Sequence, residues 1–339
     1  MRLRGFCGVL AMAAAVTLMV SPAAAAQRVA TPPPARGTFA SVIVPGAVLT
    51  QAEDVTDSGL IVGCFQRKSG SEHGFVDRHG AFVTIKDPVA GSAGMTCVLA
   101  VNSAGVIVGE YQDKSSVLHG FEDTNGKFTT IDPPGAGHRS GQGSVAVDIS
   151  NTGVIAGWYI TRKQVKRGFV LKDGKFTTVS DPAAGNSKFE GTGLVGIADN
   201  GTIAGSYTDA SGHQHGFWLR NGRFHRVDVP GAVNTDVVCI SDRNGLLVGE
   251  YQTSARASFA GFTDHHGVFR SLRDPAARFG TLPQCGNDLG KVVGFYDGAK
   301  HSVHAFEFTP GKVSPAIQAG GQQAPGMTPA FPAPRSRLP

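Results

Sequence analysis

Two glutamates, Glu110 and Glu250, occupy the middle of the same tripeptide, Gly-x-Tyr, in separate stretches of the chain. A carboxylate pair is the minimum equipment for cleaving a glycosidic bond, with the two groups set roughly 5–9.5 Å apart. The same central position carries Cys64, Trp158, Ser206 and Phe295 elsewhere, so the chain changes its chemistry there. A second group suits recognition. Trp158, His138, Arg139, Phe189 and Arg278 offer aromatic faces and cationic donors for a glycan, peptide or protein ligand, mostly from irregular segments. Histidine recurs before a Gly-Phe pair at His73, His119, His215 and His304, with Arg167 and Ala260 in the other two copies. Four related positions spread over a repeat array do not meet at one ion, so neither a metal site nor a cofactor is expected. There is no Gly-x-Ser-x-Gly elbow, phosphate loop, dinucleotide fingerprint or zinc-protease helix. The expectation is therefore a noncatalytic binding or scaffold module. The alternative is a secreted polysaccharide hydrolase or lyase using Glu110 and Glu250.

The elements that would position these residues come from repetition. The glycine of Gly-x-Tyr falls at Gly63, Gly109, Gly157, Gly205, Gly249 and Gly294, a period of about 46 residues. The Gly-Phe aromatic follows at Phe75, Phe121, Phe169, Phe217, Phe262 and Phe306. Residues present in every copy are packing residues first. In the third copy Val145–Ile149, Val154–Tyr159, Gly168–Leu171 and Lys175–Val179 are rich in β-branched and aromatic side chains, separated by Asn-Thr-Gly and Lys-Asp-Gly turns. Four short antiparallel strands per unit, repeated six times, predict an all-β fold: a six-bladed β-propeller over residues 39–313. Phe39–Ala47 aligns with the fourth strands of other copies, whereas the last copy lacks a good one. Phe39–Val44 is therefore expected to pair with Ala305–Phe308, completing the last blade and removing an open edge. By meander geometry the long connections share one face. That face holds Arg162–Gln164, Gly137–Gln142, Asn186–Glu190 and Arg278–Gly280, and Gly-x-Tyr should lie near it.

Asn287–Tyr296 reads Asn-Asp-Leu-Gly-Lys-Val-Val-Gly-Phe-Tyr, His304-Ala305-Phe306 follows, and Phe128–Ala136 reads Phe-Thr-Thr-Ile-Asp-Pro-Pro-Gly-Ala. This pattern resembles the HAF-type extracellular repeat family of bacteria over nearly all of residues 39–312. The resemblance implies export and assigns no activity or catalytic residue.

The ends agree with export. Residues 1–26 read as a signal peptide, with Arg2 and Arg4, an apolar Val9–Val20 core and Ala24-Ala25-Ala26 before Gln27. Residues 27–38 read as a short linker and 314–339 as a disordered Pro/Ala/Gly-rich tail. Removing Arg2, Arg4, Arg335 and Arg337 from the net +5 leaves about +1 on the folded body, with no clustered basic stripe for nucleic acid. No segment suits a transmembrane span. Cys64, Cys97, Cys239 and Cys285 remain, an even number that favours disulfides in a secreted or periplasmic protein. Cys64 with Cys97 and Cys239 with Cys285 is the pairing expected, although spacing leaves the other two connectivities open. A monomer is expected.

Overall fold

The computed structural model describes residues 32–90, 94–255, 257–299 and 302–311. The expected signal peptide and the whole of the expected tail lie outside them. The described residues contain no α-helix and form antiparallel units of four strands, of which the second, third and fourth are joined into one twelve-stranded sheet by single parallel pairings, Leu118↔Gly143 and Lys166↔Gly191. The strands are numbered along the chain. The first unit is β2 (Ala47–Val55), β3 (Leu60–Arg67), β4 (Glu72–Arg78) and β5 (Ala81–Ile85). The second is β6 (Thr96–Val101), β7 (Ile107–Gln112), β8 (Leu118–Thr124) and β9 (Lys127–Ile131). The third is β10 (Gly143–Ile149), β11 (Ile155–Ile160), β12 (Lys166–Lys172) and β13 (Lys175–Val179). The fourth is β14 (Gly191–Ile197), β15 (Ile203–Thr208), β16 (Gln214–Arg220) and β17 (Arg223–Val227). The fifth is β18 (Asn234–Ile240), β19 (Leu247–Gln252), β20 (Ala260–His265) and β21 (Val268–Leu272). The last takes β22 (Thr281–Gly286), β23 (Val292–Asp297) and β24 (Val303–Pro310) from the C-terminal side and β1 (Gly37–Val42) from the N-terminal side.

The β1–β24 register runs from Gly37↔Pro310 through Phe39↔Phe308 to Val42↔Ala305. Phe39 lies 5.3 Å from the Phe306 ring and 5.0 Å from Phe308, while Val42 is buried. The strand starts two residues before the expected Phe39. The preceding residues are tied down too: Ala35 N donates to Ser271 O at 2.8 Å and Ser271 N to Pro33 O at 2.9 Å. This part of the expected linker therefore packs on β21, because proline next to an edge strand still offers its carbonyl.

Each sheet is built by the same packing step. Gly109 pairs with Phe121 across β7 and β8, and a Cβ on Gly109 would press into the Cys97 carbonyl and sit 2.9 Å from the Phe121 ring. The six Gly-Phe rings are all fully buried. The Gly-x-Tyr aromatics cap this layer, and Tyr111 Oη lies 3.1 Å from Thr130 Oγ1. The hairpin between third and fourth strands uses two left-handed residues, as at Asn125-Gly126 (φ 54° and 84°) and Asp173-Gly174 (φ 50° and 73°). Such turns match the twist of paired strands.

The turns between first and second strands link one sheet to the next. Ser103 N donates to Asn151 Oδ1 at 2.7 Å, Asn151 N to Asp199 Oδ1 at 2.8 Å and Asp199 N to Asp242 O at 3.0 Å. Arg243 N donates to Asp288 Oδ1 at 2.9 Å, and Asp288 N to Asp57 Oδ1 at 3.0 Å. The last contact joins the final sheet to the first, and β22 also lies against β2.

Candidate functional site

Every first strand carries a one-residue bulge, for example between Ala52 and Asp54 opposite β3, or between Val98 and Ala100 opposite β7. The extra residues are Glu53, Leu99, Val147, Val195, Val238 and Gln284, and all six line one axial recess. A bulge re-aims a side chain, and here the result is an axial wall that is aliphatic except at Glu53 and Gln284. A second, small recess opens among the first-to-second turns, lined by Asp54, Asp57, Asp148, Asp242 and Asp288.

The residue after each bulge completes a contact with the next sheet. Asp54 Oδ1 accepts from Val55 N at 2.7 Å and Oδ2 from Val101 N at 3.1 Å. Asp148 repeats this with Ile149 N and Ile197 N, both at 2.7 Å. Burial pushes Asp54 up to about 7 against the opposing backbone donors, and raises Asp148 well above the carboxylate range.

Further along the axis, toward the long connections, two polar clusters form. The first contains Glu53, Glu72 and Glu110, all buried. Glu53 is pushed up to about 8 by burial and then by the charges of Glu110, Glu72 and Asp54. Glu72 reaches about 8 for the same two reasons, burial and Glu110. The second cluster gathers Trp158, Lys166, Ser206, Asp236 and Glu250. The Lys166 ammonium lies 4.7 Å above the Trp158 ring. Burial lowers its pKa, opposed by Asp236. Ser206 Oγ accepts from Val237 N at 2.9 Å. Asp236 pairs with Glu250 across β18 and β19, and burial followed by the Asp236 charge pushes Glu250 up to about 8.

The structure does not bring Glu110 and Glu250 together. They lie on β7 and β19 in different clusters, and the charges that shift Glu250 do not include Glu110. The Gly-x-Tyr positions are also more enclosed than expected: Glu110 is 0% and Glu250 8% exposed, because this side chain packs beside the neighbouring first strand. Trp158 belongs to this axial wall. His138 and Arg139 are exposed on the β9–β10 connection, Phe189 on β13–β14 and Arg278 on β21–β22, so these candidates occupy separate loops.

Lys166, Glu72, Asp236 and Glu53 were not singled out in the sequence. The available signal was position: Glu53 replaces an aliphatic residue at a bulge, and Glu72 and Lys166 open third strands. The recurring histidines are packing residues. His119 stacks on Tyr111 at 5.0 Å and its Nδ1 lies 2.8 Å from Asp132 Oδ2. Glu53, Cys64 and Cys97 place ligand-type atoms within 4.8 Å of one another, but the two sulfurs are bonded to each other. The disulfides are Cys64–Cys97 and Cys239–Cys285, with Cα separations of 4.9 and 5.1 Å. They fit an oxidising compartment. No helix among the described residues is long and apolar enough to cross a membrane.

No family model and no curated protein matches the chain. Among solved structures, it resembles a protein of unknown function from Dyadobacter fermentans with a TM-score of 0.53 and 11% identity, covering 82% of this chain and 100% of that one. AofleA from Arthrobotrys oligospora gives a TM-score of 0.50 and 11% identity, covering 82% and 91%. The fungal lectin from Aleuria aurantia, a six-bladed β-propeller with a fucose recognition mode, gives 0.45 and 11%, covering 83% and 96%. At these identities the first two likenesses bear on the fold alone.

Proposed function

We propose that this chain is an exported, noncatalytic binding module of HAF-type repeats. Its six blades close into one ring, and a glycan enters the axial mouth on the long-connection side. One observation carries the reading. The repeats diverge most where Trp158, Lys166, Ser206, Asp236 and Glu250 assemble. An indole beside an ammonium, a hydroxyl and two carboxylates supplies the apolar face and the mixed donors and acceptors that a polyhydroxylated ligand needs. The separation of Glu110 and Glu250 into different clusters supports binding over the hydrolase reading.

The test is a glycan array with the purified secreted chain, followed by titration of the best hit. Trp158→Phe and Lys166→Gln should each weaken binding at least about tenfold, the loss of one good contact. A reducing-end assay runs in parallel. Product release abolished by Glu110→Gln or Glu250→Gln would make the enzyme reading win. The same preparation should begin at Gln27 by mass spectrometry, which checks export.

A further inference from the structure

The two ends of the sheets present different surfaces. At one end are the tight hairpins. At the other are the connections from second to third strands and from fourth to first. Nine large apolar side chains are strongly exposed among the described residues, and six of them belong to the second end. Ile43, Val48, Val89, Phe189, Val233 and Phe279 are 39–65% exposed and come from five of the six fourth-to-first connections or the strand start that follows. Apolar side chains gathered on one face of a folded chain mark an interaction surface.

The fully exposed charges on the same connections are all cationic. Arg67, Lys68, Lys114, Arg162 and Lys163 are exposed on the second-to-third connections. Lys86, Arg139, Lys188, Arg273 and Arg278 are exposed on the fourth-to-first connections. Every acidic side chain described there is partly or wholly buried. Several hold the loops in shape: Asp87 Oδ1 accepts from Val89 N at 2.7 Å, and Asp181 Oδ1 and Asp274 Oδ1 accept from Ala183 N and Ala276 N at 2.8 Å each. The acids of this end thus sit lower than the bases: Asp113, Asp132, Asp209 and Asp228 are 27–31% exposed at the side chain, and the charges that stand fully out between the apolar tips are cations.

Phe189 shows how such a tip is held. Its backbone is left-handed, at φ 71°. Its N–H donates to Gln164 O at 2.8 Å, and Ser187 N donates to Glu190 Oε2 at 2.7 Å in the same loop. The Lys188 ammonium lies 4.6 Å over the ring. An exposed aromatic and its cation are presented together from a pinned loop.

We infer that this end of the propeller docks on an anionic lipid bilayer. Phosphate headgroups pair with the cations, and the apolar tips enter the layer below, as in interfacial binding of basic amphipathic surfaces. A soluble polyanion would use the cations and leave the apolar side chains idle. The inference rests on the loop tips and not on the axial cluster, so it stands or falls separately from glycan recognition.

The experiment is sedimentation of the full secreted chain with vesicles of phosphatidylglycerol and phosphatidylcholine in equal parts, and with phosphatidylcholine alone. The chain should sediment with the anionic vesicles at low salt, lose most of that binding at high salt, and ignore the neutral ones. Phe189→Asn with Phe279→Ser should cut the bound fraction about tenfold without lowering the melting temperature, since asparagine tolerates the left-handed backbone. Lys68→Glu with Lys163→Glu should cut it at least as much. Absence of sedimentation, or sedimentation unchanged in both pairs of variants, overturns the inference. Binding to soluble dextran sulfate that survives the Phe189/Phe279 changes, with none to vesicles, would assign the face to a soluble polyanion instead. Trp158→Phe should leave vesicle binding intact.

Discussion

Asp148 reaches from the third blade into the fourth, where its Oδ2 accepts from Ile197 N at 2.7 Å over the small Gly196. Asp54 does the same to Val101 N, where the second blade has Ala100. At the corresponding step between the fifth and sixth blades, the position after the bulge is Cys239 on one strand and Cys285 on the other. The disulfide occupies the place of a carboxylate clasp, so three alternate blade junctions are locked at one depth along the axis.

This equivalence is testable by exchange. Replacing Cys239 and Cys285 by alanine should cost about 2–4 kcal/mol in urea unfolding, the usual contribution of a native disulfide. Cys239→Asp with Cys285→Ala recreates the Asp54–Ala100 arrangement and should recover about 1 kcal/mol of that loss, the worth of a buried hydrogen bond to a charged acceptor less its desolvation. Equal stability of the two double variants would show that the fifth blade cannot form the clasp.

Stability should fall as pH rises from about 5 to 9. Glu53, Glu72 and Glu250 move from 4.5 to about 8 in the folded chain. The folded state therefore keeps protons that the unfolded chain releases. Their contribution is complete below the unfolded value and is lost as pH passes through the folded value. Glu72→Gln removes one such group, so its melting temperature should change less across this range and exceed that of the parent at pH 9, by about 1–3 kcal/mol in stability terms. Parallel pH profiles for the two proteins would refute the assignment.

Removing residues 27–46 deletes β1 and its six paired positions with β24. The unpaired β24 edge and the buried Phe308 would face water. The expected result is a lower melting temperature, dye binding to exposed apolar surface, and aggregation. A truncated chain that melts like the intact one would show that β1 is dispensable to the ring.

Gly109→Ala should destabilise by about 1–3 kcal/mol, typical of overpacking a filled site, because the added Cβ meets the Cys97 carbonyl and the Phe121 ring. Gly105→Ala, where nothing lies within 4 Å but the backbone is at φ 80°, tests strain alone. Similar losses at both sites would remove steric contact as the reason for glycine in Gly-x-Tyr.

The sequence by itself determined the strands, the hairpins and the pairing of the chain ends. Those depend on local chemistry repeated along the chain: Asn-Gly and Asp-Gly turns, alternating β-branched residues, and Phe39–Val42 in the register of a fourth strand. Tertiary structure decided the site. Glu53 becomes axial because a bulge inserts an extra residue, and that shift does not follow from a period-two pattern. Glu110 of the second blade meets Glu53 and Glu72 of the first, across a junction between strands far apart in sequence, while Glu250 meets Asp236 on the neighbouring strand of its own blade. The same Gly-x-Tyr position that reads as one set of equivalent residues is divided by the packing of neighbouring blades into different neighbourhoods. The charge asymmetry of the long connections arises the same way. Turn geometry buries Asp87, Asp181 and Asp274 against backbone donors and leaves neighbouring bases in water.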